Sequence, residues 1–162
     1  MKKNVFQDQW AVCYDQSNWF VSLRNALDGL TTEQASWKAG EQTNSIWEIV
    51  NHLIYWNERY YDRFQGIAAW ETSSKNDNTF APIDGWNWQE TVEKCYLILS
   101  KWIDAMENSE EDKLDGLATE NLDYAWSSVL SNLTLHNAYH IGQIVYIRKQ
   151  QLSWDSAKGV KG

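Results

Sequence analysis

Two of the three histidines in the chain, His136 and His140, stand four residues apart in LTLHNAYHIGQIV, and the third, His52, lies in IWEIVNHLIYWNERYY. Residues i and i+4 of a helix are neighbours, about 5–6 Å apart at Cβ, so two imidazoles at that spacing can point at one atom. Both continue an apolar series, Val129, Leu133, His136, His140, Ile144 and Ile147, which aims them inward. An unpaired polar group placed there costs about 1–3 kcal/mol, so something inside must satisfy the rings. His52 borders a second apolar stripe, between Ile49 and Trp56. Three inward imidazoles make a three-nitrogen site for a divalent cation with one position open, and a thiol or water in that position becomes reactive near neutral pH. Two other readings stay open. The metal can simply close the fold, because binding to folded ligands is itself folding free energy. The rings can also form a polar core with no metal at all. A fourth protein ligand would mark a structural ion, and a cleft above an open position a catalytic one.

His136-Asn137-Ala138-Tyr139-His140 has Asn where the HExxH metalloprotease motif carries its general-base Glu, which disfavours peptide hydrolysis by that route. Helical spacing brings Tyr139, Gln143, Glu48 and Trp56 near the three histidines, although packing, capping or a solvated face accounts for each of them more simply. No catalytic residue is assigned.

Four long segments with apolar residues every three or four positions must place these rings, and the fold class expected is all-α, a four-helix bundle. The first segment runs from about Val5 to Leu30 and closes at Gly29. The second follows the turn-like GEQTNS, where Ser45 and Glu48 form a capping-box pattern, and extends to about Gly66. The third opens at Asn87 with Glu90 three residues on, and the fourth starts near Asp123. No strand-like alternation competes with them. The connection ETSSKNDNTFAPIDGW between the second and third helices is long and turn-rich, as a crossover or a lid would be. Residues 1–150 read as a single domain, and residues 151–162, which lack apolar period, as a tail expected to fray.

Composition narrows the function classes. With 14 Lys+Arg against 22 Asp+Glu the net charge is −8, and no basic cluster interrupts the acidic background, so nucleic acid is excluded as an expected partner. Neither a signal-peptide core nor a run of about 20 apolar residues is present, so no membrane association is expected and the reading is a cytoplasmic protein. Cys13 and Cys95 belong to no CxxC pair, which writes neither a zinc ribbon nor a redox motif. The eleven tryptophans combine large apolar area with an N–H that needs a partner; most are expected in the core or skirting the surface, with a half-wet pocket or an interface as further uses.

NSIWEIVNHLIYWNE, with His52, and LTLHNAYHIGQIVYIRKQ, with His136, His140 and Gly142-Gln143, resemble segments of the DinB-like superfamily of four-helix bundles. The likeness in helix order covers about residues 5 to 150. It implies that His52, His136 and His140 correspond to the family's metal-binding triad, with a divalent ion such as zinc or nickel as cofactor. It further implies a small-molecule ligand, a low-molecular-weight thiol such as bacillithiol used by a thiol S-transferase or related enzyme, and a homodimer. The alternative function is a non-catalytic, metal-stabilised binding or stress-response protein.

Overall fold

The computed structural model describes residues 2–67, 75–119 and 122–160. Four long helices carry most of the core: α1 (Lys2–Tyr14), α4 (Ile46–Phe64), α5 (Trp88–Glu107) and α6 (Trp126–Gln150), with the short α2 (Leu23–Leu27) and α3 (Thr32–Ser36) between the first two. α4 packs against α5 and α6, and α1 packs against the same two helices, so each long helix has two neighbours around a common interior.

Local chemistry sets the starts of α4 and α5 as expected. The Ser45 hydroxyl accepts from the Glu48 N–H while the Glu48 carboxylate accepts from the Ser45 N–H, and Asn87 with Glu90 repeats the arrangement. Each box satisfies donors that the first helical turn would leave orphaned.

The first segment departs from the single helix expected over 5–30. α1 ends at Tyr14, and the chain passes through Asp15, Gln16, Ser17 and Asn18 before α2. The Ser17 hydroxyl accepts from the Ser22 N–H and from Asn25 Nδ2, and the Ser22 hydroxyl caps α2 by accepting from the Asn25 N–H. Short polar side chains of this kind offer the backbone partners outside the helix, which ends it although the apolar spacing continues. Gly29 follows α2 at φ +72, a left-handed conformation suited to glycine.

Strands also form where none was expected. β1 (Leu117–Thr119) pairs antiparallel with β2 (Leu122–Ala125), so α6 begins at Trp126 rather than Asp123. Three- and four-residue strands are too short to write a period of two into the sequence. After α6 the tail is held by Trp154, which packs against the core, and by polar groups. The buried Arg148 guanidinium donates to the carbonyls of Ala26, Asp28 and Ser153, and Lys158 pairs with Asp28.

Trp10 and Trp102 are fully buried, with ring centroids 5.2 Å apart. Their indole N–H groups donate to the carbonyls of Leu99 and Asn57, so both bury their area without an orphaned donor. Beside them Asn57 and Asn137 exchange reciprocal amide hydrogen bonds of 2.9 and 3.1 Å between α4 and α6. Asn137→Leu leaves Asn57 Oδ1 without its donor, while Nδ2 keeps the Leu53 carbonyl, and is expected to destabilise the fold by about 1–3 kcal/mol in denaturant unfolding, with part of that restored by adding Asn57→Leu. Additive losses in the double variant would show that the pair is not coupled. No described helix is long and apolar enough to cross a membrane.

Candidate metal centre

His52 lies in the middle of α4, and His136 and His140 lie on consecutive turns of α6, which α4 packs against. The structure brings all three together: one ring nitrogen from each falls within a group whose members lie within 4.8 Å of one another. His136 Nε2 is 3.0 Å from His52 Nε2 and 3.1 Å from His140 Nε2. Four nitrogens at tetrahedral angles and 2.0–2.1 Å from zinc would stand about 3.3 Å apart, so these two separations need little adjustment to accept an ion.

The outer nitrogens decide what the inner ones present. The Thr79 hydroxyl spends its hydrogen on the Asn76 carbonyl at 2.6 Å, so its oxygen can only accept from His52 Nδ1–H, at 2.5 Å. Gln143 Oε1, which is solely an acceptor, takes the Nδ1–H of His140 at 2.7 Å. Both rings are thereby held with the Nε2 lone pair directed inward, the arrangement that orients metal-ligating histidines. Two lone pairs thus face His136 Nε2, which carries at most one proton and can satisfy one of them at a time. His136 Nδ1 is buried without a partner. A cation among the three Nε2 atoms satisfies every inward lone pair together, so the donor set fits a divalent metal.

Electrostatics point the same way. Burial, reinforced by repulsion from the neighbouring rings, lowers the pKa of His52 to about 3 and that of His136 to about 4. Burial also lowers His140, opposed by its hydrogen bond to Gln143. Neutral imidazole is the form that binds metal, and His52 and His136 stay neutral well below ordinary physiological pH.

The cluster forms the floor of a cavity of about 870 Å³. Phe80 stacks on His52 at 4.0 Å and 8°, Trp56 meets the same ring edge-on, and Tyr139 meets His140 edge-on. Of the side chains that helical spacing brings near the triad, Trp56, Tyr139 and Gln143 line the cavity. Glu48 does not: it caps α4 and pairs with Lys38. Thr79, Phe80 and Asn76 are additional site residues that sequence reasoning missed. They come from a 3-10 turn (Asn76–Phe80) within the long connection, where no helical period marks an inward residue. Part of that connection therefore closes over the triad from α4, while residues 68–74 lie outside the described residues. Replacing Thr79 by Val removes the acceptor that sets the His52 tautomer and is expected to weaken metal affinity by about 10- to 100-fold in a competition titration. Unchanged affinity would mean that the hydroxyl does not orient the ring.

Neither a curated protein nor a solved structure gives a significant match to the chain. The sequence model described as the DinB superfamily matches residues 21–144, a span that holds all three histidines, Thr79 and Gln143. Together with the helical fold and the histidine cluster, that match places this chain in the DinB superfamily.

Proposed function

We propose that the protein is a divalent-metal-binding four-helix bundle in which His52, His136 and His140 hold zinc or nickel, and that it acts as a metal-dependent S-transferase using a low-molecular-weight thiol. The observation that carries the reading is the convergence of three Nε2 atoms, two of them oriented by oxygen acceptors on Nδ1, on the floor of an open cavity. When bound, the ion supplies a Lewis acid that lowers the pKa of a thiol in its remaining position.

The chain's own residues favour a thiol over water as the nucleophile. Among the described residues no carboxylate lines the cavity, and the carboxylates nearest on α4 are engaged elsewhere, Glu48 with Lys38 and Glu58 with Lys94. No described residue of the lining offers a carboxylate as general base for hydrolysis, whereas a thiol with a lowered pKa gives up its proton to solvent without one. In the transfer, the thiolate sulfur forms a bond to an electrophilic carbon and the leaving group departs with the bonding pair. Neutral ligands leave the ion's charge uncompensated, which favours an anionic thiolate beside them.

Cobalt-loaded protein tests this directly, since thiolate coordination adds an intense near-ultraviolet charge-transfer band. Bacillithiol, glutathione, cysteine and coenzyme A are titrated in turn, and turnover is measured against a chlorinated nitrobenzene with His140→Ala as control. The band should appear with at least one thiol and turnover should exceed the control. No band and no turnover above His140→Ala would leave a metal-stabilised binding protein.

A further inference from the structure

The cavity above the triad carries a chemical signature that the histidines do not explain. Among the described residues its lining contains no Asp, Glu, Lys or Arg, in a chain where these make up 22% of residues. A charged group on a ligand seated against these walls would find no counter-charge among the described residues.

Aromatic surface takes the place of charge. On the α4 side Trp56 and Tyr60 stack with centroids 6.2 Å apart and planes at 30°. On the α6 side Tyr139 is 63% exposed, and its hydroxyl-bearing ring meets the site through the edge of His140. Burial of so large an apolar group would normally be favourable, and a planar ligand entering the cavity would bury it. The side-chain amides of Asn44 and Asn132 add uncharged donors and acceptors to the same lining. A cavity of about 870 Å³ with mostly apolar walls and a few neutral polar groups is of the kind that holds a small organic molecule.

We infer that the cavity binds an uncharged aromatic molecule, stacked against Tyr139, Trp56 and Tyr60, and that this molecule is the electrophile offered to the thiol. Its role as electrophile rests on the transferase reading above. Its binding does not, because the aromatic walls stand without the ion.

The test therefore uses metal-free protein and three probes of nearly equal size that differ in charge: 3,5-dinitrobenzamide, 3,5-dinitrobenzoate and 3,5-dinitrobenzylammonium. None carries a halide leaving group, so equilibrium dialysis reads binding alone. The neutral amide is expected to bind at least tenfold more tightly than either charged probe. Tyr139→Ala should weaken amide binding about three- to tenfold, the range for loss of one aromatic contact, and Tyr139→Phe should retain it. Tyr139 is largely exposed, so the Ala variant should keep its fold, and circular dichroism checks this. Equal or tighter binding of the benzoate or the ammonium probe, no binding of the amide, or full affinity in Tyr139→Ala would each overturn the inference. Metal content and the cobalt spectrum are measured on separate samples, so failure of the metal centre shows there without altering the dialysis result.

Discussion

Replacing His136 by Ala is expected to lower affinity for zinc or nickel by about 100- to 1,000-fold while leaving the protein helical. Structural zinc sites with four ligands bind with roughly 10–16 kcal/mol in total, so one ligand accounts for about 3 kcal/mol, or two to three powers of ten. His52→Ala and His140→Ala should behave alike, because each removes one of three converging Nε2 atoms. Wild-type protein purified without chelator or an affinity-tag metal should carry close to one ion per chain by elemental analysis. The thermal shift on adding metal should be lost in all three variants, since an ion that binds the folded state stabilises it in proportion to the logarithm of its affinity. Equal affinity in His52→Ala would remove α4 from the centre, and an absence of uptake in the wild type would remove the centre altogether.

Acid should destabilise the metal-free protein in a range where carboxylates are still ionised. The folded pKa values of His52 and His136, about 3 and about 4, lie below the unfolded value of about 6.5, and His140 is lowered too. Above pH 6.5 the rings are neutral in both states and their contribution to stability is fully present. As pH falls below that value the unfolded chain takes up protons that the folded chain refuses, so stability falls until pH passes through the folded pKa values. Each ring that charges only on unfolding contributes a slope of about 1.4 kcal/mol per pH unit, so His52 and His136 together reach roughly 3 kcal/mol per unit. A domain with ordinary stability of about 5–15 kcal/mol would lose much of it by pH 4.5. The measurement is urea unfolding between pH 7 and 5, above the carboxylate range, with a His52→Ala/His136→Ala variant expected to flatten the profile. A wild-type midpoint that does not move over that interval would show that the rings are not desolvated in the folded protein.

Much of this centre is legible in the sequence, and the legible part is local. His136 and His140 share a face because four residues make about one helical turn, which holds wherever α6 sits. The capping boxes at Ser45 and Asn87 close within three residues, so their letters suffice. The inward course of Val129, Leu133 and Ile144 follows from the apolar period, and all three are buried. The same local reasoning overran the break after Tyr14, because apolar spacing continued while Ser17 and Ser22 diverted the backbone.

Tertiary structure alone decided the rest. His52 reaches His136 across 84 residues through the packing of α4 on α6, and no period within either helix states that meeting. Thr79 and Phe80 come from a turn-rich connection whose course over α4 has no repeating pattern, yet they set the tautomer of His52 and cover its face. Glu48 is four residues from His52, one helical turn and close enough in sequence to serve it, but its cap on Ser45 and Lys38 on another segment draw it away. Periodicity and capping act within a turn or two and are written in neighbouring residues. The charge and shape of a cavity depend on which distant surfaces are brought together, and those are fixed only when the helices pack.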